Sequence, residues 1–153
     1  MRLTPDDIRK LITSNQPEDI GLEYKSELPT GKIHKAEFLK DVTAMANADG
    51  GRIIYGIDEV ASAASALRSV ANTPREIDGA IKRLLAWCAS EIKPPLKDLA
   101  VYSLTVDGEN LVVIDVPRGH WRPHHYEFET DRSTSIEWVV PRFLICHMKL
   151  SKG

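Results

Sequence analysis

Carboxylates near two predicted strands are the residues of this chain that could do chemistry. Glu18 stands just before a predicted strand, Glu23 lies within that strand, and Asp58 follows a second, strongly apolar stretch. If the two strands are neighbours, these three carboxylates approach one another. Close carboxylates repel unless a cation lies between them, and Mg²⁺ or Mn²⁺ prefers oxygen ligands. The pattern therefore indicates a candidate metal site.

The chemistry of such a site would act on phosphate esters. A divalent cation can polarise a phosphodiester and activate water or a ribose hydroxyl. Lys25, two residues after Glu23, falls on the same face of the predicted strand and could stabilise the negative charge on the phosphate. The alternative is that Glu23 and Lys25 are ordinary polar residues on the open face of a sheet.

A helix followed by a strand must position these acids. The apolar residues from Phe38 to Ala46 recur at steps of three and four, which predicts a helix that ends at Asp49-Gly50-Gly51. Residues 52–57 are β-branched, aromatic and nearly uncharged, which predicts a buried strand. Asp58 is expected at the end of that strand.

The remaining elements indicate an α+β fold of helices packed on a mixed sheet, in the order α-β-α-β-α-β-β. The first helix begins at Thr4-Pro5, and Thr73-Pro74 begins another. The first strand is predicted over residues 21–28. A hairpin is predicted from 99–106 and 111–116, residues 60–72 are expected to be a loop or a weak short helix, and an extra strand is possible at 143–147. One domain over 1–150 is expected.

Composition excludes few functions. The chain has 153 residues and a net charge of −2, so it lacks the strong overall basicity of many nucleic-acid-binding domains, although a local basic stripe remains compatible with it. No apolar run is long enough to span a membrane, and the N-terminus lacks a signal-peptide core. We expect a cytoplasmic location and no membrane partner.

Cations that could contact a nucleic-acid backbone fall in two groups. They are Lys32, Lys35 and Lys40, and further along the chain Arg118 and Arg122. The second group belongs to a stretch of histidine, tryptophan and arginine that suits phosphate contact and base stacking. The alternative is a surface loop with Trp121 tucked into the core. Zinc binding by His120 and His124 needs a helix, which Pro123 disfavours.

Three segments resemble the AlbA_2, or Schlafen-type, domain over about residues 14–125. They are Glu23-Tyr24-Lys25, the helix end from Ala46-Asn47 to Gly50-Gly51, and Gly56-Ile57-Asp58. In Schlafen-type ribonucleases two glutamates five apart and a later aspartate cleave structured RNA such as tRNA with Mg²⁺ or Mn²⁺. The resemblance implies that Glu18, Glu23 and Asp58 bind metal and act in catalysis, with Lys25 on the scissile phosphate.

The resemblance leaves a second function open. Many members of the broader family are known only as DNA-binding or ATP-binding domains of bacterial regulators. The alternative for this chain is therefore a non-catalytic DNA-binding or interaction domain of a bacterial-type transcriptional regulator. Schlafens pair two such lobes, so a homodimer is expected by analogy. A Walker-type nucleotide site is disfavoured because Gly50-Gly51 does not precede a helix. We therefore predict a nucleic-acid-binding domain, preferring RNA over DNA, that is a metal-dependent endoribonuclease or a binding module.

Overall fold

The computed structural model describes the backbone of residues 1–130 and 133–138 and the side chains of residues 1–127. These residues form three helices and nine strands. In chain order the elements are α1 (Pro5–Thr13), β1 (Leu22–Lys25), α2 (Gly31–Asn47), β2 (Gly51–Tyr55), β3 (Ile57–Val60), β4 (Ala63–Leu67), α3 (Pro74–Glu91), β5 (Ile92–Lys93), β6 (Ala100–Val106), β7 (Glu109–Val116), β8 (His125–Thr130) and β9 (Ser133–Trp138). None of the helices in this part of the chain has the length and apolar character that a bilayer crossing requires.

The central sheet has four strands in the order β1-β2-β7-β6. Strands β1 and β2 are parallel, with Lys25 opposite Tyr55, and helix α2 makes the crossover that parallel neighbours require. Strand β7 runs antiparallel to both β2 and β6. Strand β1 therefore forms one edge of this sheet, and the predicted α+β class is confirmed.

Two apolar cores cover the two faces of the sheet. Helices α2 and α3 pack on one face, around Ile53, Ile114 and Val116. Helix α1 and the β3–β4 hairpin cover the other, around Tyr24, Ile54 and related side chains. Each face is thus shielded from water by elements that come from different parts of the chain.

Several predicted boundaries were wrong. Residues 60–72, expected as a loop or weak helix, contribute the end of β3 and all of β4. The first strand is shorter than predicted, and the apolar stretch 52–57 does not form one strand. It breaks at Gly56, whose φ is +110° and whose added Cβ would lie 2.3 Å from Leu111. Strands β5, β8 and β9 were not predicted, and the possible strand at 143–147 lies outside the described residues.

The end of α2 is joined to the loop after β7 by one buried amide. The side chain of Asn47 donates to the carbonyl of His124 at 2.9 Å and accepts from its backbone N–H at 2.6 Å. Gly50 then turns the chain with φ +84°, and an added Cβ there would lie 2.6 Å from the carbonyl oxygen of Val116. The Asn-x-x-Gly spacing is therefore explained by packing, with no need for chemistry.

Replacing Asn47 with alanine should lower the free energy of unfolding by about 2–6 kcal/mol. The variant leaves the N–H and C=O of His124 buried and unpaired, and each such group costs about 1–3 kcal/mol. Urea unfolding followed by circular dichroism measures the change. The control is Asn72→Ala, at an exposed position, and equal stability of the two variants would contradict this role for Asn47.

Candidate active site

The charged residues of β1 lie on the α2 side of the sheet, at the end where β1 and β2 finish. Tyr24 belongs to the core on the other face, so alternation along the strand directs Glu23 and Lys25 toward α2. Their partners in β2 are Ile53 and Tyr55, both in the core beneath α2. This placement confirms the alternation expected for the strand.

Lys25 is held between two carboxylates. Its Nζ lies 3.1 Å from Oε1 of Glu23 and 4.0 Å from Oδ2 of Asp41. Burial lowers the pKa of Lys25. The hydrogen bond to Glu23 and the negative charge of Asp41 raise it by more than burial lowers it, so the net shift is upward. Lys25 therefore carries its positive charge at neutral pH and is oriented by neighbouring acids.

Sequence reasoning missed Asp41. It lies on α2, and its side chain is only 26% exposed. Burial, and then the charge of Glu23, raise its pKa to about 6, while the charge of Lys25 opposes this shift. A signal was present, because Asp41 follows Phe38 by three residues and precedes Met45 by four, which places an acid on the apolar face of the helix.

Glu18 accepts a backbone hydrogen bond on the edge of β1 that faces away from β2. Its Oε1 accepts a 2.8 Å hydrogen bond from the backbone N–H of Tyr24, and its own N–H donates to the carbonyl of Ser62 at 2.8 Å. Burial is the main cause that raises the pKa of Glu18. The negative charges of Glu23 and Glu59, and a hydrogen bond to Glu59, raise it further, against the opposing effect of the Tyr24 N–H.

Asp58 lies in β3 rather than at the end of β2, because the chain turns at Gly56. Its Oδ1 is 3.2 Å from Nε of Arg68, and a second nitrogen of Arg68 is 3.8 Å from Oε1 of Glu27. Sequence reasoning missed Arg68, the one cation in the alanine- and serine-rich segment 60–72. The structure thus brings Glu18 close to Glu23 and Glu59, while Asp58 pairs with Arg68.

The donor chemistry of this region fits a hard divalent cation, because every acidic ligand offers oxygen. Burial is the main cause of the raised pKa of Glu18, and the smaller contribution from the charges of Glu23 and Glu59 is the part that a cation would relieve. As the side chains stand, however, no three histidine, cysteine or carboxylate side chains among the described residues are grouped so that they could hold one metal ion. The predicted set of Glu18, Glu23 and Asp58 stays a prediction.

A cavity of about 200 Å³ lies beside Lys25, between the end of β1 and the first turns of α2. Its polar lining includes Lys25, His34, Glu37 and Asp41. The first turn of α2 contains no acidic residue, and the side chain of Thr30 makes no capping hydrogen bond. The positive end of the helix dipole is therefore not neutralised locally, which favours anions nearby.

The predicted phosphate-contacting cations are divided between the two ends of the sheet. Lys32 and Lys35 lie in the first turns of α2, near the acidic end, and Lys40 is exposed farther along the helix. Lys35 is 3.2 Å from Glu91. Arg118 and Arg122 lie past the other end of β2, and Arg122 donates to the carbonyl of Ala48 at 3.3 Å.

The histidine- and tryptophan-containing loop also differs from expectation. Trp121 is 57% exposed and is not tucked into the core. His124 is the buried histidine of the loop, and its Nδ1 lies 2.7 Å from the carbonyl oxygen of Pro94. The loop therefore presents its indole to solvent and keeps an imidazole inside.

Comparison with known protein families agrees with this architecture. The sequence model described as "Schlafen, AlbA_2" matches residues 18–137. The chain belongs to the Schlafen AlbA_2 family. The match includes the two glutamates, Lys25, the end of α2 and Asp58. No curated protein matches the chain.

A solved structure shares the fold of this AlbA_2 chain. The N-terminal domain of a protein from Nitrosomonas europaea, named as related to the ATP-dependent DNA helicase RecG, superposes with a TM-score of 0.64. The two are 20% identical, and the match covers 88% of this chain and 87% of that domain. The DIP2311 protein from Corynebacterium diphtheriae is 15% identical with a TM-score of 0.47, over 85% of this chain and 26% of that one.

Replacing Asp41 with asparagine should change how the stability of this AlbA_2 domain depends on pH. The folded state keeps the Asp41 proton up to pH about 6, whereas the ordinary pKa is 3.8, so folding binds protons between these values. The contribution of Asp41 to the free energy of unfolding therefore falls as the pH rises through this window. The asparagine variant should avoid about 1–3 kcal/mol of that loss.

Urea unfolding at several pH values between about 4 and 7 measures this difference. The control is Asp78→Asn, at an exposed carboxylate on α3, which should keep the native pH dependence. If Asp41→Asn and the native protein show parallel curves, the carboxylate of Asp41 does not titrate in this window.

Proposed function

We propose that this AlbA_2 domain binds nucleic acid, with RNA preferred, and cleaves it in a reaction that needs Mg²⁺ or Mn²⁺. The observation that carries the proposal is the crowding of partly buried carboxylates around Glu18 beside the charged amine of Lys25. Cleavage of a phosphodiester needs both kinds of group at one place, one to hold a cation and one to contact the phosphate.

Each residue has a role in this proposal. Glu18 and Glu23 would supply oxygen ligands to the cation, and Asp58 would complete the set. The cation, when bound, would polarise the phosphodiester and activate the nucleophile. Lys25 would bind the scissile phosphate and stabilise the charge that develops on it. Glu23 also orients Lys25 through the 3.1 Å contact between them.

Arg68 extends the phosphate-binding surface. It lies beside Asp58 and is 53% exposed, so its guanidinium is accessible to a ligand. Lys32, Lys35 and Lys40 would contact the backbone on either side of the scissile phosphate. Such contacts position a strand without reading its sequence. Substrate choice would then depend on the shape of the RNA, as expected for a structured substrate such as tRNA.

The second candidate is a non-catalytic DNA-binding or interaction domain of a transcriptional regulator. The ion pairs favour it, because Glu23 and Asp58 are already neutralised by Lys25 and Arg68. The fold shared with the N-terminal domain of a RecG-related protein is compatible with it. In this alternative the acids hold the cations in place, and the cations contact phosphate.

Replacing Glu23 with glutamine separates the two functions. If the site is catalytic, we expect the variant to lose at least about 100-fold in the rate of tRNA cleavage, because a charged ligand and the partner of Lys25 are both removed. Binding should persist or strengthen, since one repulsive charge is gone. Cleavage of total tRNA is followed with Mn²⁺ and with EDTA, and a DNA duplex is treated in parallel.

The control for this experiment is Asp78→Asn, which removes an exposed acid from α3 and should cleave at the native rate. Metal-dependent cleavage by the native protein and the control, lost in Glu23→Gln and Asp58→Asn, supports the nuclease. Intact RNA under every condition, with retained binding, supports the binding module. Binding of neither RNA nor DNA contradicts the nuclease and the DNA-binding domain and leaves the interaction domain.

The proposal includes a homodimer, because paired lobes would form a clamp around a structured RNA. Light scattering during gel filtration measures the mass of the particle. A mass near 17.1 kDa, that of one chain, at the concentrations used for cleavage would rule out this part of the proposal.

A further inference from the structure

The end of the sheet opposite the acids carries a second charged surface, formed by residues 93–99 and 117–124. Gly51 begins β2 and pairs with Val116, whereas Tyr55 ends β2 beside Lys25. Four strand steps separate the two ends, or about 13 Å. The loop after β7 therefore cannot share a single phosphate with Lys25, and its cations need their own explanation.

This loop is fixed to the protein beneath it. The N–H of Gly119 donates to the carbonyl of Ala46 at 2.8 Å, and Asn47 bonds the backbone of His124. The ring of His124 contacts the carbonyl of Pro94 and so joins the two segments of the surface. An added Cβ on Gly119 would lie 2.2 Å from that ring, so the segments are closely packed.

Trp121 stands out from this fixed base. Its side chain is 57% exposed, although an indole is among the largest apolar groups that a protein can bury. The Nζ of Lys97 lies 4.5 Å from the centre of its ring, a cation–π geometry. One face of the indole thus has a cation beside it, and the loop that carries the indole is held in place before any ligand arrives.

The charges around Trp121 are mainly positive. Arg118 is 60% exposed, and its nearest ion-pair partner, Asp49, is 4.0 Å away and almost fully exposed. Such an exposed pair is weak and is readily exchanged for another anion. Lys93 and Lys97 are exposed in the neighbouring segment, next to one acid, Asp98. An exposed aromatic ring flanked by cations matches the chemistry of an unpaired base and its adjoining phosphates.

We propose that Trp121 is a stacking platform for an unpaired base of single-stranded nucleic acid, with Lys97 and Arg118 on the neighbouring phosphates. The proposal rests on the nucleic-acid binding proposed above, but it does not require cleavage. Stacking is tolerant of sequence, because every base has an aromatic face. A strand held here would be anchored at a distance from the acidic end.

The experiment measures the binding of a short fluorescein-labelled oligouridylate by anisotropy, in EDTA so that no metal-dependent cleavage occurs. Trp121→Ala should weaken binding about 5- to 100-fold, whereas Trp121→Phe, which keeps an aromatic face, should retain most of the affinity. Lys97→Ala should also weaken binding and reduce the salt slope by about 0.7. Lys82→Ala, at an exposed lysine on α3, is the matched control and should bind like the native protein.

A second readout isolates stacking from a general loss of affinity. Oligouridylate should quench the tryptophan fluorescence of the native protein, and the quenching should be lost in Trp121→Phe although this variant still binds. A fully paired RNA duplex should bind Trp121→Ala as it binds the native protein, because its bases are not available to stack. Circular dichroism should be unchanged in each variant, since Trp121 is exposed.

Three results would overturn the inference. If the native protein and Trp121→Ala bind oligouridylate equally, Trp121 does not contact the strand, while the proposed nucleic-acid binding stands. If Trp121→Phe is as weak as Trp121→Ala, the indole does not act by stacking. If the native protein binds no nucleic acid, paired or unpaired, the proposed function fails as well, and a protein partner becomes the better occupant of this surface.

Discussion

The buried amide of Asn47 holds together the parts of the chain on which the rest of the structure depends. It ends α2, satisfies the backbone of His124 and fixes the loop after β7. Gly50 then brings the chain within contact distance of β7, so that β2 enters the centre of the sheet. The backbone N–H and C=O of His124 are buried, so water cannot replace the Asn47 amide as their partner. The distance between the end of α2 and the loop after β7 is therefore fixed.

With α2 fixed at its C-terminus, the helix passes beside the end of β1. This brings Asp41 beside Lys25 and Glu23 in a setting that is largely screened from water. Burial disfavours the ionised carboxylate, and the charge of Glu23 adds to this effect, so the pKa of Asp41 is raised to about 6. The lysine balances part of the repulsion. Lys25 is thus outnumbered by the carboxylates around it, Glu23 and Asp41, with Glu18 close enough to add its charge.

The same sheet separates two kinds of surface. Carboxylates dominate the end where β1 and β2 finish, whereas the opposite end presents Trp121 with Lys97 and Arg118. A protein with a net charge of −2 can bind a polyanion only where its cations are gathered locally. The fold gathers them by bringing the loop after β7 against the segment before β6, through the contact of His124 with Pro94.

The sequence by itself determined the α+β class, the helix of Phe38, the hairpin around Asp107 and the alternation that places Glu23 and Lys25 together, because local periodicity and turn chemistry set these features. It also carried the family resemblance. Only the tertiary structure decided that β2 breaks at Gly56, so that Asp58 faces Arg68 in a hairpin made partly from an alanine-rich segment. Likewise, the raised pKa of Asp41 comes from its burial where α2 packs on the sheet and from the charge of Glu23. Burial and charge crowding arise between segments distant in the chain, and no local pattern encodes them.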